Sequence, residues 1–520
     1  MMTPFVLAIV GRAAAASLDL LEVGGAFGTP AATNPTALWW NPAGLAVHGG
    51  TQFFAEGAPT FGSVKSVRDN PDYGPVTLTQ EQVEAGFPTS YDHGGKETFR
   101  STAVVPFVGA STDFGVRGLG VGIGVMVPSG RGAKSTAANG SNRYAIRNGL
   151  LLQPRVSVGA AYRLKELLSL GVSGSVVRSS FYAENDVSTY PDVASSVRDL
   201  LGGGELPSEF QDAWIEDPNY SARLVLGGRE AGGGHGALSD TTFTFGGGVY
   251  LTPLDDDRLG ISLAWNQGVR LSNTGDVTFE FGCPPAYDNT ARRTAEDGGL
   301  CNSSVPGTAS VAFQLPSRLH VGVAILPTEA MRLELMGAWV GWGVFQDYDV
   351  ALQVNQDDIN SPLGSLGASP SAKLLSQERQ QARGARDTFW VGLDGKVDLS
   401  DLFAVGGRAT FDRSAIPTDY VSGNNLDADS LLLLAMTQVR PTPKLGIGLS
   451  YTYALAGKRL VTNSVFSQDL ARGDSESPEY YLTTPTVNRT FYPSANGSYA
   501  LSVHRFGLSL QSTFGGAGRL

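Results

Sequence analysis

Stretches of about ten residues with apolar side chains at every second position recur along the chain, the pattern of strands with one apolar and one small or polar face. In 119–127 the apolar members are Leu119, Val121, Ile123, Val125 and Val127, with Gly120, Gly122 and Gly124 between them. In 445–455 Leu445, Ile447, Leu449, Tyr451, Tyr453 and Leu455 alternate with Gly446, Gly448, Ser450, Thr452 and Ala454. The alternation returns in 156–164, 168–176, 243–251, 259–265, 319–325, 333–339, 389–397, 403–411, 431–439 and 506–514, and more weakly in 52–61 and 102–110. Side chains of a strand point alternately to its two faces, so the apolar set faces lipid and the small, polar set faces a lumen. These fourteen stretches predict an all-β fold, a 14-stranded antiparallel transmembrane β-barrel with both termini in the periplasm.

The connections agree with that expectation. Short turns at 165–167, 252–256, 398–401 and 440–443 alternate with long polar segments at 63–97, 129–148, 183–240, 270–309, 346–386, 415–428 and 457–496. Barrels of this kind have short periplasmic turns and long external loops, whereas compact soluble domains rarely carry so many long loops. Aromatic residues gather near strand ends, as at Trp339, Trp342, Phe345 and Tyr348, where girdles at the two membrane interfaces would hold them. A soluble sandwich would need protected sheet edges and shorter connections.

The start of the chain has a different character. Residues 1–16 (MMTPFVLAIVGRAAAA) place a short apolar core before small residues, with Ala14 and Ala16 set for cleavage before Ser17, and read as a signal peptide. Residues 17–50 lack the period of two. Glycines and prolines divide this stretch into short turns, while Leu38, Trp39, Trp40 and Leu45 give it something to bury. A compact element before a barrel is a natural plug for the lumen, so 17–50 is expected to be an N-terminal hatch inside it. The barrel then covers 51–514, and 515–520 form a tail after Phe514, which stands as the effective end of the last strand.

Composition sharpens the picture. Glycine accounts for 66 of 520 residues and charged residues for 17%, against usual shares of about 7% and about 25%. The formal net charge of -11 disfavours nucleic-acid binding, which wants a basic surface. No run approaches the ~20 apolar residues that a spanning helix needs. Cys283 and Cys301 bracket one polar loop segment, and in an exported protein such a pair most simply forms a disulfide. His48, His93, His235, His320 and His504 are scattered without metal-ligand spacing, and Gly232 to Ala237 fits a dinucleotide fingerprint only formally, with no apolar strand before it. Asp255, Asp256 and Asp257 read as a solvated turn, and no nucleophile-elbow motif occurs. Neither a metal, a cofactor nor an enzyme activity is expected.

The segment LEVGGAFGTPAATNPTALWWNPAGLA, ending at Ala46, resembles the N-terminal hatch of the FadL-type outer-membrane transporters of long-chain fatty acids and aromatic hydrocarbons. LPSRLHVGVAILPTEAMRLELMGAWVGWGVF resembles that family's strand pair ending in an aromatic-rich segment, and RDTFWVGLDGKVDLSDLFAVGGRATFDRSAIPTDYV with KLGIGLSYTYAL its C-terminal hairpins. The family's fold is a 14-stranded barrel holding a hatch. The resemblance implies a monomer of the bacterial outer membrane, surrounded by outer-membrane lipid and inserted by the barrel assembly machinery. It implies further that a hydrophobic ligand, foremost a long-chain fatty acid, enters an apolar lumen site and leaves sideways through a wall opening past the hatch. Asn41, Pro42, Ala43 and Gly44 would be the gating element, with Asn41 bonding wall backbone groups left open by a bulge. A fatty-acid carboxylate needs a cation, and alternation puts Arg155, Arg163, Arg318 and Arg505 on inward faces. The alternatives are an aromatic-hydrocarbon channel, a general porin and an outer-membrane lipase using a serine beside His320 or His504.

Overall fold

The computed structural model describes residues 23–69, 94–136, 140–188, 221–229, 235–254, 258–281, 304–354, 378–466 and 495–515. The signal peptide, Cys283, Cys301 and the three consecutive aspartates lie outside the described residues. The first half of the sheet comprises Thr51–Arg68 (β1), Gly95–Thr112 (β2), Leu119–Ser135 (β3), Asn148–Leu164 (β4), Leu168–Ser188 (β5), Ser221–Leu226 (β6), Leu238–Leu251 (β7), Leu259–Asn266 (β8) and Val269–Phe281 (β9). Ser304–Leu315 (β10), Arg318–Thr328 (β11), Met331–Val340 (β12), Asp347–Val354 (β13), Glu378–Ala382 (β14) and Thr388–Asp398 (β15) follow. The last are Phe403–Asp412 (β16), Ser430–Thr442 (β17), Leu445–Ala456 (β18), Arg459–Val461 (β19) and Gly497–Phe514 (β20). All belong to one sheet, which closes where β1 pairs antiparallel with both β2 and β20.

The strand number departs from the expectation of fourteen. Several of the 20 segments continue one another across a break, as β8 with β9, β10 with β11, β12 with β13 and β14 with β15, and the barrel closes with sixteen strands. Two short segments fall where no strand was expected: β6, set between β5 and β9, and β19, which pairs with β20 beyond the end of β18. Both arise in long segments read as loops. Beyond the bilayer nothing requires an apolar outer face, so a strand there loses the lipid-facing stripe that marks the others.

A related inversion governs the outer half of the wall. In β8 the outward residues are Leu263 and Trp265, whereas in β9 the buried, inward residues are Leu271, Val277 and Phe279, with Arg270, Ser272 and Thr274 exposed. The phase flips at Gln267 and Gly268. On the neighbouring strand it flips at Pro316 and Ser317, between inward Phe313 and Leu315 of β10 and inward Arg318 and His320 of β11. The two breaks are in register, and the Gly268 amide donates to Ser317 Oγ at 2.9 Å. A small, polar lumen face was expected throughout. It holds at membrane level and on the outer part of β1 and β2, where Ser66, Arg68, Glu97 and Ser101 face inward, whereas β9 and β10 line the outer lumen with apolar side chains.

Residues 23–47 are largely buried against the inner face of the sheet. Asn34 Oδ1 accepts from the Thr36 amide at 2.9 Å and the Thr36 hydroxyl at 2.6 Å, and the turn so formed leads into the short helix Ala37–Trp40. Asn41 caps the following 3-10 turn Pro42–Ala46, its Oδ1 accepting from the Ala43 amide at 3.0 Å, and Pro42 lacks only an N–H that would have been unpaired there.

Candidate functional site

The Asn41 side chain reaches the wall directly. Its Nδ2 donates to Val249 O at 2.9 Å on β7 and to Ser262 Oγ at 2.7 Å on β8, and Asn41 is wholly buried. The β7–β8 ladder there runs without a register shift, so the expected bulge is not what frees the acceptor. Close approach is what the wall supplies. A Cβ on Gly248 would lie 2.1 Å from Asn41 Oδ1, and one on Gly171 would lie 2.3 Å from Ala43 N. On Gly120 a Cβ would lie 2.2 Å from Leu45 O, and Gly44 itself backs onto Ala32 O. Glycines in the alternating pattern thus mark where the N-terminal segment touches the sheet.

Further contacts pin the same segment. Ser262 Oγ donates to Pro30 O at 2.5 Å and Asn266 Nδ2 to Trp39 O at 2.8 Å, while His320 Nδ1 donates to Trp40 O at 3.2 Å. A charged set holds residues 25–31: Glu334 Oε1 accepts from the Ala31 amide at 2.9 Å, and Arg332 donates to Glu334 at 2.6 Å and to Ala31 O at 3.1 Å. Arg408 bonds Asp394 at 2.9 Å, Gly25 O at 3.2 Å and Ala26 O at 3.3 Å. These carboxylates are buried and paired, as buried charges must be.

The four inward arginines separate into different roles. Arg155 of β4 and Arg318 of β11 converge on one indole, their guanidinium carbons 5.0 and 5.5 Å from the Trp39 ring centre. Both are buried, and Arg155 makes no ion pair among the described residues. Arg163 lies at the periplasmic rim, donating to Val47 O, Glu166 O and Thr252 Oγ1, and Arg505 faces Glu56 at 3.2 Å. Only the first two come together. Among the described residues neither histidine weighed for hydrolysis has a serine partner: His320 bonds Trp40 O, and His504 meets the Tyr451 hydroxyl at 2.9 Å on the outer wall.

Beside Arg155 the wall is incomplete. The β2–β3 ladder pairs Arg100 with Lys134 and resumes only at Phe107 with Met126, leaving 101–106 and 127–133 unpaired with each other. Pro106, Pro128 and Pro154 stand at this level, and a proline has no N–H to give a ladder. Ala103, Val105, Met126 and Val127 at the gap are buried and apolar, and Met126 is the register partner of Arg155. Sequence alternation missed this gap and the apolar lining above it; the three prolines within predicted strands or at their ends were the available signal.

The profile of the family described as outer membrane protein transport protein (OMPP1/FadL/TodX) matches residues 7–491. No match is found among curated protein sequences. Similar solved structures include a Pseudomonas aeruginosa FadL homologue, with TM-score 0.67 and 16% identity over 97% of this chain and 99% of the other. The P. putida toluene transporter TodX superposes with TM-score 0.59 and 14% identity over 92% and 94% of the two chains. The Ralstonia pickettii toluene transporter TbuX gives TM-score 0.55 and 13% identity over 93% and 94%. At such identities the structures speak for the fold, and the family profile over nearly the whole chain supplies the rest: the protein belongs to the OMPP1/FadL/TodX family of outer-membrane transport proteins.

Proposed function

We propose that this protein takes up a hydrophobic carboxylate, a long-chain fatty acid, through a lumen site built on Arg155, Trp39 and Arg318, and releases it sideways through the gap between β2 and β3. The observation that carries the reading is the convergence of two buried guanidiniums on one indole, with Arg155 lacking an ion-pair partner among the described residues. A buried cation without a counter-charge is costly, and a ligand carboxylate would relieve it with bidentate hydrogen bonds. The alkyl chain would lie against the apolar lining formed by Leu271, Phe279 and Phe313. That recovers about 25 cal/mol per Å² of apolar area removed from water. Residues 17–50 act as the hatch, and Asn41 is the hinge between hatch and wall. The adjacency of Arg155 and the β2–β3 gap supports a lateral exit, since a bound head group sits one strand from the opening.

Binding of a brominated long-chain fatty acid, read by quenching of tryptophan fluorescence in the detergent-solubilised protein, tests the site. Arg155→Gln with Arg318→Gln should weaken fatty-acid binding by at least tenfold and leave toluene binding unchanged. Equal loss for both ligands, or no loss for either, would sink the carboxylate assignment. An aromatic hydrocarbon is the second reading, favoured by the edge-to-face cluster of Phe181, Phe313, Phe345 and Tyr348, and selective binding of toluene would establish it.

A further inference from the structure

The outer surface of the wall is not uniform around the barrel. On β1, β2 and β3 four cations point outward and are exposed: Lys65, Lys96, Arg100 and Lys134, while their strand neighbours Ser66, Glu97, Phe99 and Ser101 are buried. Register fixes their arrangement. Arg100 stands opposite Lys134 on one side and Ser63 on the other, and Lys65 stands opposite Thr98, so Lys65 is diagonal to both Lys96 and Arg100. Opposed residues sit about 5 Å apart and diagonal ones about 7–8 Å, which gathers all four charges into one patch.

The described carboxylates nearby do not neutralise it. Glu97 points inward to Ser135 and the Asn142 amide, and Glu184, on the far side of β4, is taken up by Tyr182, Arg223 and Arg229. Asp69, just past the end of β1, is one negative charge against four positive. Elsewhere on the outer rim Arg270 pairs with Asp349 at 3.3 Å, and Arg178 stands alone with the Thr241 and Ser239 hydroxyls rather than in a cluster of cations.

The height of the patch points to its partner. A tilted strand climbs about 2.5 Å per residue, so the apolar band of about 25 Å reaches from Thr51 to about Phe61. At that level Phe61, Tyr451 and Phe506 form an exposed aromatic group, with Phe61 and Phe506 ring centres 6.2 Å apart. Lys65 lies about 10 Å higher, where the head groups of the outer leaflet begin.

We propose that the outward face of β1, β2 and β3 binds the phosphate of an outer-leaflet glycolipid, lipid A, through Lys65, Lys96, Arg100 and Lys134. The fit is one of charge, since a phosphate is held by several cations at once and by Arg in a fork. Arg100 and Lys134 are also the last pair above the interrupted ladder, so the acyl chains of the bound lipid lie along the wall over the gap. This assignment does not depend on which ligand the lumen takes.

Native mass spectrometry of the full-length protein in detergent, titrated with bisphosphorylated lipid A, tests the proposal. Wild type should retain one lipid A, and K65Q/K96Q/R100Q/K134Q should bind it at least tenfold more weakly. Enzymatically dephosphorylated lipid A should bind wild type no better than lipid A binds that variant. R178Q/R270Q, on β5 and β9 away from the patch, should bind as wild type, and heat-modifiable gel mobility should show both variants folded. Unchanged affinity in the quadruple variant, equal binding of the dephosphorylated lipid, or displacement by an equal concentration of inorganic phosphate would each overturn it.

Discussion

At membrane level the wall is apolar outside and polar or glycine-lined inside; on β9 and β10, above the breaks at Gln267–Gly268 and Pro316–Ser317, it is polar outside and apolar inside. The same period of two builds both halves. The difference is a change of phase, and it teaches that alternation identifies a strand without saying which face is the core. Lipid demands the apolar face outside at one level, and water demands it inside at the other. The N-terminal segment sits in the polar half, where the wall offers it hydrogen bonds and paired charges. The apolar half is left for a ligand.

Four changes would break or sharpen that contrast, beginning with the largest effect. Arg408→Ala removes the nearer partner of buried Asp394, leaving only Arg332 at 3.9 Å, and the donors to Gly25 O and Ala26 O, and removal of one member of a buried pair costs about 3–5 kcal/mol. Equilibrium unfolding in urea should show a loss of that size, and single-channel recordings should show conductance that wild type lacks.

Val321→Arg puts a charge on the lipid face and should cost about 2–4 kcal/mol of folding into phospholipid vesicles. Ser272→Arg, on the polar outer face above the flip, should change folding by under about 0.5 kcal/mol. Equal costs at the two positions would mean that the inversion does not mark the membrane boundary.

Asn41→Ala leaves Val249 O and Ser262 Oγ without their donor, and about 1–3 kcal/mol of stability should go with it. At normal surface expression, uptake of radiolabelled fatty acid should fall; unchanged uptake would remove the hinge role.

The smallest effect concerns the external loop at 413–429. Burial pushes the Asp427 carboxyl up to about 6, against the pull of hydrogen bonds from the Ala415 amide, Ser414 and the Ala428 amide and of the Arg459 charge. The folded loop therefore binds its proton more tightly than the unfolded chain, whose carboxyl titrates near about 3.9. Its stability is full below about pH 4 and declines as pH rises through about 6. Amide protection in 413–429, the ratio of intrinsic to observed exchange rate at each pH, should be lower at pH 7.5 than at pH 4.5, and Asp427→Asn should abolish the difference.

Much of this was legible beforehand, and the misses share a cause. The membrane-level strands were readable because lipid enforces an apolar outward stripe, as at Leu445, Ile447 and Leu449. β6, β9, β10, β13 and β19 were not, because their outer faces meet water. Asn41 stood out in NPAGLA, yet its wall partners Val249 and Ser262 carried no mark of their own. Gly171 and Gly248 fall on the lumen side of the alternation, which does not tell that the N-terminal segment approaches the wall closely there.

By itself the sequence determined that strands alternate, where an apolar face must meet lipid, and that the first fifty residues are of another kind, because these follow from local periodicity and composition. Only the tertiary structure decided that there are sixteen strands rather than fourteen. It also decided that Arg155 and Arg318 meet over Trp39 while Arg505 is spent on Glu56, and that the ladder opens beside Arg155. Those outcomes depend on which strands become neighbours and in what register. Closure of the sheet sets both, and no window along the chain contains them.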